Sequence, residues 1–196
     1  MKIQKNNLSK LIVAISFLGT LLMTTACNDS EGQTKSNSVS KTNVKPPSID
    51  IHTAIITNNI EALKQHIAAG SNLNEKDPLG GSSPLISACL FDKPEMAKML
   101  INAGADLNFQ NNDGSTALIT AAFFCHPEIV KILLVKGANK MIKNKYGSTA
   151  YESVSAPFDQ VRSTYENLGK MLAPMGLKMD LGYIEKTRPQ IAAMLK

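Results

Sequence analysis

Between residues 81 and 151 the apolar positions follow a fixed pattern that repeats. Leu85 and Ala88 belong to a short apolar run. Met96, Met99 and Leu100 follow at i, i+3, i+4, the stripe of an amphipathic helix. The same order recurs 33 residues later, with Leu118, Ala121 and Ala122 in the first run and Ile129, Ile132 and Leu133 in the second. Gly81 falls on Gly114 and Gly147, Pro94-Glu95 on Pro127-Glu128, and Gly104-Ala105 on Gly137-Ala138, with no gap. A constant interval of this size marks stacked repeats. Each unit is predicted as helix, turn, helix. Ser83-Pro84 and Ser115-Thr116 stand where a hydroxyl can accept from the orphan N–H groups of the first helix. Pro94 and Pro127 suit the first turn of the second, where a missing N–H costs nothing. Gly104 and Gly137 end it in a left-handed conformation.

These units resemble the ankyrin-repeat family, whose unit has this length. The family's G-x-T-P-L-H-x-A-A stands here as Gly81-Ser-Ser-Pro-Leu-Ile-Ser-Ala-Cys89 and Gly114-Ser-Thr-Ala-Leu-Ile-Thr-Ala-Ala122. Its H-x-E-V-V-K-x-L-L stands as His126-Pro-Glu-Ile-Val-Lys-Ile-Leu-Leu134. The resemblance implies an all-α fold, an ankyrin-repeat solenoid of about three full repeats plus a degenerate fourth. Repeats are expected at 50–77, 78–111 and 112–144, with a partial one at 145–155. In the first, Ile51 takes the place of Leu85 and Gly70 that of Gly104, with one residue inserted around Pro78–Gly81. The fourth opens with Tyr146-Gly-Ser-Thr-Ala-Tyr151, and no second-helix motif follows it. Instead Pro157–Leu172 reads as a longer helix. Asp180 and Thr187 are candidate N-caps of two short helices after it. Residues 156–196 are expected to form a helical C-terminal cap over the apolar flank of repeat three.

The chain's start has a different texture. Lys2, Lys5 and Lys10 precede the apolar run Leu11–Met23, whose 13 residues suit a signal peptide better than a membrane span. Thr24-Thr25-Ala26 then leads to Cys27. This resembles the lipobox of bacterial lipoproteins, with Thr24 where Leu is usual. It implies cleavage after Ala26 and acylation of Cys27. The alternative, an ordinary signal peptide, leaves Cys27 a spectator. In either case the protein leaves the cytoplasm. Asn28 after Cys27 is not the Asp that favours inner-membrane retention in related Gram-negative lipoproteins, which favours the outer membrane. Residues 28–48 are polar and poor in large apolar side chains, a composition expected to give a flexible tether up to residue 49.

Charge adds little after that cleavage. The chain has 21 basic and 16 acidic residues. Residues 1–26 hold three of the Lys and no acid, leaving 18 against 16. That balance makes no case for a nucleic-acid partner. Lys136, Lys140, Lys143 and Lys145 form a local basic edge, read as a solvated face.

No residue pattern supports catalysis, a cofactor or a metal. His52 and His126 fall where the family uses His for structural hydrogen bonds, and His66 lies mid-helix. No Gly-rich phosphate loop, Cys-x-x-Cys or nucleophile elbow is present. Cys89 reads as a small buried apolar residue. Cys125 sits at a turn with a different offset in its repeat, so no disulfide between the two is expected, with an oxidising compartment keeping one as the alternative. The informative surface positions are Leu90-Phe91 and Phe123-Phe124. In the family these positions line the concave groove and vary with partner, and Tyr146 near the next turn would extend the strip. The alternative is that the tail or neighbouring helices cover them. The expected function is a non-enzymatic, membrane-tethered periplasmic module that binds another protein in its groove. The alternative is an envelope stress protein with broad clients.

Overall fold

The computed structural model describes residues 44–196, and all of its regular elements there are helical. Residues 1–26, Cys27 and most of the expected tether lie outside the described residues. Three helix pairs come first: α1 (Ile51–Ile56) with α2 (Ile60–Ala68), α3 (Pro84–Leu90) with α4 (Pro94–Asn102), and α5 (Ala117–Phe123) with α6 (Pro127–Val135). The first helices α1, α3 and α5 stack side by side as an inner layer, and α2, α4 and α6 form a second layer against them. A short α7 (Glu152–Ser155) extends the inner layer.

The local chemistry read from the sequence is in place. Ser83 and Thr116 accept from Ile86 and Ile119 backbone N–H groups at 3.3 Å. Pro94 and Pro127 occupy the first turns of α4 and α6. Leu85, Leu100, Leu118, Ile129 and Leu133 are fully buried. Each such side chain contributes roughly 1.5–3 kcal/mol of transfer free energy. The turns before α3, α5 and α7 are each held by a side chain of their own. Asp77 accepts from the N–H groups of Leu79, Gly80 and Ser82; Asn111 and Asn144 do the same for their turns. Neighbouring turns are joined, since Asn112 N–H donates to Gly80 O at 2.9 Å and Lys145 N–H to Asp113 O at 2.8 Å.

Between the two helices of each pair the chain passes through a left-handed residue: Asn58 (φ 55°), Asp92 (φ 50°) and Cys125 (φ 62°). Asn and Asp tolerate this conformation better than most residues. Cys125 is held there by burial, its Sγ 3.8 Å from the carbonyls of Phe123 and Ile184. Cys89 and Cys125 are both free thiols. Burial pushes Cys125 up to about 11, partly offset by Arg188, and pushes Cys89 higher still.

The tail differs from expectation. Pro157 precedes α8 (Phe158–Leu172), a 3-10 turn at Ala173–Met175 follows, and Gly176 is left-handed at φ 83°. Asp180 does cap the next helix, accepting from Tyr183 N–H. But α9 (Leu181–Leu195) is one helix of 15 residues, and Thr187 is buried inside it with Pro189 two residues on. Thr187 is therefore no cap. An interior Pro costs a helix about 3 kcal/mol, so packing must hold this one together. That packing is against α6, α7 and α8.

The position of α9 explains its proline. Pro189-Gln-Ile-Ala-Ala-Met-Leu195 reproduces the order of Pro127-Glu-Ile-Val-Lys-Ile-Leu133. Ile191 and Leu195 are buried as Ile129 and Leu133 are. The helix also lies on α6 and α7 as the second helix of a fourth repeat would. The fourth unit thus has its second helix, extended at its N-terminal end and delayed by inserted α8.

Arg188 locks this arrangement. Its side chain is 2% exposed. Nη1 donates to Ser153 O at 3.3 Å and to Tyr165 Oη at 2.7 Å, and Nη2 donates to Ala156 O at 2.9 Å. The guanidinium thereby satisfies carbonyls at the end of α7. Tyr165 Oη in turn donates to Phe123 O at 2.8 Å, linking α8 to repeat three. Burial pushes the Tyr165 hydroxyl far above its ordinary value.

Candidate functional site

The four apolar residues singled out from the sequence sit at the C-terminal ends of the inner helices. Leu90 ends α3 and Phe91 is its C-cap; Phe123 ends α5 and Phe124 is its C-cap. All four are half-buried. They are not equivalent. Phe123 stacks on Tyr165 of α8, with ring centroids 4.8 Å apart and planes inclined by 23°. It also meets Phe124 edge to face at 5.2 Å. The tail therefore covers Phe123, and its ring belongs to the α5–α8 contact. Phe124 lies alongside the His126 ring at 6.4 Å, and no ring contact is made by Phe91. Phe91 and Phe124 remain as the pair of partly open rings, one repeat apart.

Tyr146 stands elsewhere. It lies in the turn before α7, at the N-terminal end of the inner layer, while the phenylalanines lie at the C-terminal end. A helix of seven residues, such as α5, separates the two ends by about 10 Å. The Tyr146 hydroxyl donates to Asp113 in the preceding turn at 3.4 Å. Burial and the Asp113 carboxylate raise its pKa. So Tyr146 does not continue the phenylalanine strip; it belongs to a second row at the turns. That row includes Leu79, 83% exposed at the tip of the first turn. The sequence signal for Leu79 is an apolar residue inside the inserted Pro78–Gly81 turn. The inner helix between these rows offers little surface, since α5 is buried from Ala117 to Ala122.

The histidines are structural at two positions. His52 pairs with Ser87 Oγ and Glu75 O at 3.1 Å each, tying repeat one to repeat two. His66 pairs with Ser71 Oγ at 3.0 Å and Ile49 O at 2.9 Å. His126 precedes α6, with Nδ1 3.3 Å from Asp92 and Nε2 buried without a partner. Burial lowers its pKa, with Asp92 acting against that. Among the described residues no group of three His, Cys, Asp or Glu could hold a metal ion.

A stack of helix pairs, joined by hydrogen-bonded turns and carrying its variable side chains at turns and helix ends, is an ankyrin-repeat solenoid. Residues 51–144 match the family model for ankyrin repeats (3 copies). Protein phosphatase 1 regulatory subunit 27, from Homo sapiens and from Mus musculus, is 34% identical over 64 residues. That match covers 33% of this chain and 41% of each relative, so it spans less than half of either. Among solved structures, the ankyrin repeat domain of Bcl-3, a member of the IkappaB protein family, is similar with a TM-score of 0.51 at 29% identity. It covers 53% of this chain and 45% of the other. Ankyrin repeats generally mediate protein–protein binding and are typically non-catalytic.

Proposed function

We propose that the chain is a non-enzymatic binding module. It is lipid-anchored through Cys27 to a bacterial envelope membrane, faces the periplasm, and holds a protein partner against the ends of its inner helices. The observation that carries the partner site is the pair Phe91 and Phe124. Both cap successive inner helices, both are half-buried, and neither ring stacks on the tail as Phe123 does on Tyr165. A solvated C-cap has no need of a large ring, and aromatic residues dominate the energetic centres of interfaces. The regulatory-subunit name of the relatives supports the same class, a repeat module that acts through another protein.

The test is Phe91→Ser with Phe124→Ser, set beside Phe123→Ser. The double variant is expected to lose a stoichiometric partner captured from envelope extracts, while its melting temperature stays within a few degrees. Phe123→Ser is expected to melt lower, because it loses the Tyr165 stack. If the double variant melts as low as Phe123→Ser, both rings are core and the site lies elsewhere. Capture of many clients that rises with temperature would instead favour the stress-protein reading.

A further inference from the structure

The fourth repeat carries a cleft that the partner site does not use. It lies between α7 and α9 and has a volume of about 370 Å³, within the lower part of the range of small-molecule sites. Tyr151, Phe158 and Ala192 give it apolar walls, Arg188 contributes to its lining, and Glu185 and Lys196 stand exposed at its edge.

Arg188 is unusual in two respects. It is a cation buried to 98% with no carboxylate paired to it; the described ion pairs involve Lys64, His126 and Arg162. A guanidinium has five N–H groups, and three hydrogen bonds account for three of them. Nε is buried and has no acceptor. A buried polar donor left unpaired costs roughly 1–3 kcal/mol, and a buried charge is costly until an opposite charge offsets it. The Glu185 carboxylate pairs with Arg162 instead, at 3.4 Å. Arg188 lines the cleft, so an anion held there would lie beside this buried charge and offset it, without having to reach the enclosed Nε.

We propose that the α7–α9 cleft is a binding site for a small organic carboxylate with an apolar body. The carboxylate sits toward Arg188 and the body lies against Tyr151, Phe158 and Ala192. This site is separate from the phenylalanine pair and does not depend on a protein partner.

The experiment uses the purified full chain with hexanoate and its neutral counterpart hexanamide as probes. Affinity is read by calorimetry and by the shift in melting temperature. Hexanoate is expected to bind saturably and raise the melting temperature. Hexanamide is expected to bind at least about tenfold more weakly, the ratio that one charge-assisted hydrogen bond supplies. Arg188→Gln removes the charge but also loosens α7, so the cleaner variant is Ala192→Phe. It fills the cleft without touching the Arg188 hydrogen bonds and should abolish hexanoate binding in a protein that still melts cooperatively. Equal affinity for the two probes would overturn the anion assignment. No saturable binding of either, or full binding by Ala192→Phe, would overturn the site itself.

Discussion

Gly114 and Gly137 share a left-handed backbone, at φ +72° and +85°, but not their surroundings. A Cβ on Gly114 would lie 3.1 Å from Lys145 N and 3.3 Å from Asn144 Cα, both main chain of the neighbouring turn. A Cβ on Gly137 meets nothing within 4 Å. Gly137→Ala should therefore cost only the backbone preference, about 1–2 kcal/mol. Gly114→Ala should cost more, because the turn carrying Tyr146 has to move as well. Chemical denaturation of the two variants measures the difference, and equal costs would mean that the turns are not packed as described. His126 gives a second prediction at this scale. Burial lowers its pKa in the folded protein, so near its ordinary value, about 6.5, the unfolded chain binds more protons. Stability then rises with pH in that range. The contribution is full above the ordinary histidine value and is lost as pH falls through the lowered one. Thermal melts from pH 8 to pH 5 should show this acid-side loss, and His126→Gln should flatten it.

At the scale of the element, α9 was the least legible part of the sequence. The caps, prolines and glycines of α3 to α6 act within a few residues of themselves, so Ser83, Pro94 and Gly104 could be read directly. The motif Pro189–Leu195 has the same local chemistry, but it lies 62 residues after Pro127 instead of 33. Inserted α8 breaks the spacing, and an interior proline reads locally as a boundary. Only packing on α6 and α7 joins the two halves of the fourth repeat. Phe123 and Phe124 were indistinguishable for the same reason: what separates them is Tyr165, 42 residues away in sequence. The element makes a sharp prediction through Arg188. Arg188→Met keeps much of the volume but leaves Ser153 O, Ala156 O and Tyr165 Oη without their donor. With hydrogen bonds to charged groups worth about 1.5–3 kcal/mol each, the loss should be on the order of 3 kcal/mol or more. Removing residues 181–196 should go further, exposing the flank of α6 and producing aggregation or a large drop in melting temperature. An unchanged melting temperature in either variant would mean that α9 does not complete the fourth repeat.

At the scale of the whole molecule, the described residues include no helix long and apolar enough to cross a membrane. Two sources of membrane association can be told apart, the N-terminal segment and surface charge. Surface charge is a real competitor. From Ile129 to Tyr151 there are five lysines and no acidic residue, and Val135 and Met141 stand exposed among them at 77% and 71%. The two sources respond differently to salt. Attraction between exposed lysines and anionic headgroups is screened, since the Debye length falls from about 10 Å at 0.1 M to about 3 Å at 1 M. Burial of acyl chains, at about 0.8 kcal/mol per CH₂, does not depend on ionic strength in this way. If Cys27 is acylated, the protein should stay in the membrane fraction through a 1 M salt wash, and its mass should include the lipid. Cys27→Ala should then release it to the soluble periplasm or leave it unprocessed. Release of the unaltered protein by salt alone, with no added mass, would assign the association to the lysine edge and remove the anchor from the proposed function.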